Sequence, residues 1–247
     1  MLSRSKWGFD DNAKIIHLFK DDKPLKAHSD YKAAKAGDLD AACLLVEQLL
    51  SSTCFVDSVQ SEFKDEYFLL PIVAEELHGD NAIPMALAAN LAKELRVKFF
   101  DGCVQTNKAY HTGADPMERL ISRATFGGKV IAGKNYVLID DVTAMGSTLA
   151  DCASYIAENG GTVIGCVVLT NASRSGKLKA VPKDITLINE RYHEDIKNLF
   201  SIDPSALTFD EARYLVGFKT ADELRTRATK AENERKNRIA SKKISQP

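Results

Sequence analysis

The chain has 247 residues, 45% of them hydrophobic and 27% charged, which is enough to bury a sizeable core without disulfide or metal staples. With 33 basic residues against 34 acidic ones, no global field calls for nucleic acid or a membrane surface. Five scattered cysteines without Cys-x-x-Cys spacing suit free thiols in a reducing cytoplasm. The absence of an apolar leader or membrane-length run adds the expectation of a soluble, unexported protein.

Residues 1–65 read as an N-terminal extension. A short strand is expected over 14–19; Pro24 then breaks the pattern, and Ser29 caps a helix that Gly37 stops. Asp38 caps the next helix, in which Ala42, Leu45, Val46 and Leu49 share a face. His17 and His28 sit in no metal spacing and beside no nucleophile, so both read as structural.

From residue 66 to about 200 the pattern is that of an α/β core. A strand over 67–73 is followed by a helix over 83–95, with Pro84 in its first turn, and by a strand over 97–104. Residues 105–128 form a long connection that carries Lys108, His111, Arg119 and Arg123, and loops of that length between core strands are usually functional or disordered. Helical periodicity over 117–124 puts Arg119 and Arg123 on one face. The turn-like Gly133-Lys134-Asn135 between apolar runs at 129–132 and 136–139 predicts a hairpin.

A helix over 146–158 should stop at Gly160-Gly161, followed by strands over 162–169 and 184–188. From about residue 201, capping boxes at Thr208/Glu211 and Thr220/Glu223 predict two helices. The second has a basic surplus and few apolar residues. It reads as a solvated helix fraying into a tail, with nucleic-acid contact as the sharper alternative. The whole is an α/β protein with a mostly parallel twisted sheet flanked by helices and helical extensions over 1–65 and 201–247.

The stretch that organises the chain is residues 136–151. Tyr136, Val137, Leu138 and Ile139 suit a strand buried on both faces; Asp140 and Asp141 follow where a central strand runs out of partners. Thr143, Ala144, Met145, Gly146, Ser147 and Thr148 then form a small-residue loop feeding a helix. Unpaired N–H groups and the positive end of the helix dipole favour a phosphate there, with the three hydroxyls as further donors. Ionised carboxylates only accept hydrogen bonds, so the acid pair suits vicinal sugar hydroxyls.

This stretch resembles the phosphoribosyl pyrophosphate (PRPP) signature of the type I phosphoribosyltransferases. The competing Walker reading fails: residues 128–135, Gly-Lys-Val-Ile-Ala-Gly-Lys-Asn, lack the Ser/Thr that would hold magnesium, and Lys134 leads into a strand. A bland alternative is a buried strand with two solvated acids and a polar turn.

The resemblance implies a transferase that moves 5-phosphoribose from PRPP to a small nitrogenous base, with Mg2+ held through PRPP. Asp140 and Asp141 would serve the ribose, and residues 143–148 the 5′-phosphate. It also puts Leu77, His78 and Gly79 near the pyrophosphate, makes the 105–128 segment a lid carrying one of the four basic groups, and implies a homodimer. Arg174 and Lys177 are weaker candidates. Glu75 and Glu76 depart from what a polyanion site needs and are either solvated or metal-facing. The incoming base would sit under a hood supplied by the extensions. A PRPP-sensing regulator without turnover, contacting nucleic acid through its basic C-terminal helix, is the alternative function.

Overall fold

The protein is described by a computed structural model covering residues 3–73, 81–107, 109 and 113–244. Strand β1 (Phe9–Phe19) leads through short helices α1 (Lys23–Lys26) and α2 (Tyr31–Lys35) to α3 (Leu39–Leu50) and α4 (Phe55–Glu62). Strand β2 (Phe68–Pro71), helix α5 (Ile83–Leu95), strands β3 (Lys98–Phe99) and β4 (Cys103–Gln105), helix α6 (Pro116–Ile121) and strand β5 (Phe126–Gly128) follow. Strand β6 (Asn135–Thr143), helix α7 (Ser147–Glu158) and strand β7 (Thr162–Asn171) hold the motif. Helices α8 (Pro182–Phe200), α9 (Phe209–Val216) and α10 (Ala221–Ile244) complete the chain.

The main sheet has the order β1-β7-β6-β2-β3, and its pairs are parallel. Alternation along β6 explains its central place. Val137 and Ile139 are buried with Leu45, Leu69 and Leu87 on the side of α3–α5, whereas Tyr136 and Leu138 meet Leu149, Cys152 and Ile156 of α7 on the other. Because β1 is parallel to its neighbour β7, with Phe19 opposite Thr170, the chain leaves it at the carboxyl edge of the sheet. Helices α1 and α2 therefore begin beside the end of β6.

Several sequence expectations are corrected. Residues 129–132 form no strand; Tyr136 Oη instead accepts the Ile131 N–H at 2.8 Å, and β5 pairs antiparallel with β4 in a separate ladder. The motif strand thus has no reversed partner. The strand expected over 97–104 is broken at Phe100, whose ring packs against Phe68 and Tyr136 at 5.8 and 5.6 Å. Asp38 caps α3 as expected, but Asp30 rather than Ser29 precedes α2, and α4 was not anticipated.

Residues 184–188 lie in helix α8, not a strand. Pro182 stands at the helix start, and Ile188, Tyr192, Ile196 and Phe200 recur every fourth residue, a helical stripe that a five-residue window conceals. Helix α10 is likewise docked rather than a solvated stalk. Leu224, Ala228 and Ala231 join a third core with Met117, Leu120 and Leu215. Arg225, Arg227 and Arg238 pair with Asp195, Asp115 and Glu118.

Among the described residues no single helix is long and apolar enough to cross a membrane, and Cys43, Cys54, Cys103, Cys152 and Cys166 are all free thiols. The N-terminal segment packs closely on α7: a Cβ at Gly8 would lie 2.0 Å from the Ala153 carbonyl oxygen. Gly8→Ala should therefore destabilise the fold by about 1–3 kcal/mol, the usual cost of overpacking, read as a lowered midpoint in urea unfolding.

Candidate functional site

The acid pair occupies the point where β6 outruns one neighbour. Its register with β2 ends at Ile139 opposite Pro71, while its pairing with β7 continues through Asp140, Val142 and Thr143. The strand thus runs out of partners on one side only. Asp141 is buried and Asp140 half-buried, and the Asp141 N–H donates to Asp140 Oδ1 at 2.8 Å. Burial first, then the negative charge of Asp141, pushes the Asp140 carboxyl well above the usual carboxylate range.

Beyond the acids the loop is held by its carbonyls. The Thr143 carbonyl accepts from the Ala172 N–H at 2.8 Å, and the Met145 carbonyl from Thr208 Oγ1 at 2.7 Å. Arg4 Nη2 donates to the Ser147 carbonyl at 3.2 Å. Gly146 turns the chain at φ 74°, a left-handed conformation that favours glycine, and starts α7 with no side-chain cap. With the carbonyls tied inward, the N–H groups of Ala144, Met145, Gly146 and Ser147 have no hydrogen-bond partner among the described residues. The result is an anion-receptive helix N-terminus.

A buried ion cluster holds this loop from behind. Arg4 Nε meets Asp151 Oδ1 at 2.7 Å, and Arg4 Nη1 meets Glu211 Oε2 at 2.6 Å. The same Asp151 oxygen accepts from Arg123 Nη2 at 2.6 Å, while Arg123 Nη1 donates to the Ser201 carbonyl at 2.7 Å. Glu211 also completes the Thr208 capping box, which links the cluster to Met145. Burial alone would raise the Glu211 carboxyl, but the Arg4 charge and hydrogen bonds hold it below its ordinary value.

Arg123 is therefore a structural cation and cannot serve as the lid group. Helix α6 ends at Ile121, so Arg123 does not share a helical face with Arg119. Arg119 is half-buried on α6, its Nε donating to the Ala114 carbonyl at 3.2 Å. Lys108, His111, Leu77, His78 and Gly79, together with Glu75 and Glu76, lie outside the described residues. Arg174 is exposed and lines a groove of about 720 Å³ together with Ala144, Met145, Tyr214 and Phe218. Lys177 instead lies over the Phe209 ring at 5.2 Å.

Sequence reasoning missed one residue at the acids themselves. Lys35 Nζ of α2 lies 2.8 Å from Asp141 Oδ2. Burial would lower its pKa, yet the Asp141 charge and hydrogen bond leave it raised and the ammonium charged. Only its place in a hood segment hinted at this role. Arg4 gave no local signal.

A parallel strand ending in two acids and followed by an uncapped glycine turn is the geometry of this site. Residues 85–203 match the phosphoribosyl transferase domain model, so this part of the chain is similar to that family. The chain is 34% identical over 242 residues to protein TraN of Escherichia coli, a match covering 96% of this chain and 53% of TraN. An uncharacterized protein of Haemophilus influenzae is 33% identical over 153 residues, covering 62% of this chain and 34% of that protein. The chain thus spans about half or less of the length of these relatives. Among solved structures, adenine phosphoribosyltransferase of Leishmania donovani matches with 14% identity and a TM-score of 0.36, over 82% of this chain and 88% of that one.

Two outcomes are expected. Arg4→Met leaves Asp151 and Glu211 short of a buried partner and should cost about 3–5 kcal/mol in chemical denaturation at pH 7. The raised Asp140 pKa opposes folding once pH exceeds the unfolded-state value, and the cost grows as pH rises through the folded-state one. Asp140→Asn should therefore raise Tm at pH 7 and leave it nearly unchanged near pH 3 (a value of about 3, below the ordinary carboxylate pKa), followed by thermal unfolding in chelator.

Proposed function

We propose that the chain transfers 5-phosphoribose from PRPP to a nitrogenous base and releases pyrophosphate. The observation that carries this reading is the row of open N–H groups from Ala144 to Ser147 placed directly after the Asp140–Asp141 pair. The amides and the Thr143, Ser147 and Thr148 hydroxyls would take the 5′-phosphate, and the carboxylates would accept from the ribose hydroxyls. In the reaction the bond from C1 to the diphosphate oxygen breaks and its electron pair leaves with pyrophosphate. A nitrogen of the base bonds C1 and sheds its proton. Cationic charge on the ribose ring lies beside the acids, which favours the transition state over the bound donor.

Among the described residues no group of three or more His, Cys, Asp or Glu stands ready to hold a metal. In this reading a magnesium ion would be carried on diphosphate oxygens and water, with the acid pair as nearby negative charge. Such an ion would neutralise the departing diphosphate. A homodimer in the cytoplasm belongs to this same proposal.

The alternative, a PRPP-sensing regulator that grips nucleic acid through α10, has less support. The arginines of α10 at 225, 227 and 238 already pair with Asp195, Asp115 and Glu118, and Lys236 with Glu232. Pyrophosphate release with PRPP, magnesium and a panel of bases tests the transferase reading. Asp141→Asn should keep the fold and lower transfer by about 10²–10³-fold, the scale of losing one polar stabiliser of the transition state. Wild-type turnover with none of the bases, together with PRPP-dependent nucleic-acid binding, would establish the regulator instead.

A further inference from the structure

Lys35 belongs to the hood segment, yet its ammonium is held at the acid pair. Its Nζ donates to Asp141 Oδ2 at 2.8 Å in a part-buried contact. The carbonyl of the adjacent Ala34 accepts from the Ala82 N–H at 3.0 Å, which ties α2 to the residue just before α5. That residue flanks the segment whose sequence resembles a pyrophosphate loop. Helix α2 thus bridges the acid pair and the start of α5.

An ammonium carries three N–H donors, and Asp141 takes one of them. The side chain is 32% exposed, so the remaining donors are not sealed in protein. We infer that Lys35 is a leaving-group cation: Nζ keeps one N–H on Asp141 and offers the others to oxygens of the C1 diphosphate. The inference rests on the phosphoribosyl reading of the acids and loop.

The chemistry of the donor favours this position. C1 adjoins the C2 hydroxyl that the acid pair would accept from, so a cation on Asp141 is separated from that part of the ring by one hydrogen-bonded carboxylate. As that bond breaks, negative charge grows on the diphosphate and positive charge on the ring. A lysine–carboxylate pair between them opposes neither: the ammonium faces the first and the carboxylate the second. Nothing in this arrangement requires Lys35 to gain or lose a proton.

The competing explanation is that Lys35 only pins the hood to the sheet. Calorimetric titration of the full chain with PRPP and, separately, with ribose 5-phosphate, both with magnesium, distinguishes the two roles. Lys35→Ala should weaken PRPP binding about 10- to 100-fold, the scale of a hydrogen bond to a charged group, and leave ribose 5-phosphate within about twofold. Lys35→Arg should restore most of the PRPP affinity. Equal weakening of both sugars, or of neither, overturns the assignment and leaves the pin. A wild-type protein that takes up ribose 5-phosphate but not PRPP also removes it, while uptake of neither sugar removes the phosphoribosyl reading beneath it.

Discussion

Two arginines and two carboxylates buried together at the foot of the 143–148 loop fix where that loop can sit. Arg4, Arg123, Asp151 and Glu211 come from the N-terminal segment, the connection before β5, helix α7 and helix α9. The charges sum to zero, and Arg4 spends further donors on the Ser147 and Ala206 carbonyls. Such a cluster is weak evidence for net stability, because desolvating four ions costs about what their attraction returns. What it supplies is placement. With Glu211 locked, Thr208 is locked through its capping box, and Thr208 in turn holds the Met145 carbonyl. The Met145 and Ser147 carbonyls are claimed, while the loop amides from Ala144 to Ser147 have no partner among the described residues.

The parallel sheet does the complementary work on the other side. In a parallel sheet every carboxyl end lies along one edge, so β1, β7 and β6 all end at the edge that holds the acid pair. Adding β1 as the outer strand brings α2, and with it Lys35, to that edge across 106 residues of sequence. The N-terminal 65 residues therefore take part in the core: β1 pairs along β7, and α3 and α4 pack against α5. At the opposite end of the chain, α9 and α10 close the third core around Leu215 and Leu224.

Legibility in the sequence followed the range of each interaction. Strand β6, its acids, the glycine turn and α7 were readable because apolar run, acid pair and small-residue loop are contiguous. The Thr208–Glu211 capping box was readable because its bonds span three residues. The Arg4–Asp151 bond spans 147 residues and left no local trace. Arg123 was misread for a related reason: basic side chains in a long connection look alike until tertiary partners separate a buried cation from a solvent-facing one. Helix α10 was misread because a stripe of Leu224, Ala228 and Ala231 is too thin to signal burial amid so many charges. Its docking depends on ion pairs with α6 and α8 that no single-segment pattern contains.

The acid pair itself stands out as a local conflict. Asp140 is held above its ordinary pKa by burial and by Asp141, and one lysine is set against two carboxylates. A sheet seeking only stability would place apolar or amide side chains there, as it does at Val137 and Ile139 four and two residues earlier on the Asp141 face. Inconsistency of this kind, beside buried charges that are paired elsewhere among the described residues, fits the proposed ribose site. The surplus negative charge is what a ligand rich in hydroxyl donors, and a transition state with a cationic ring, would relieve. Lys35 reduces that surplus without abolishing it, which leaves the carboxylates able to accept while keeping a cation beside them.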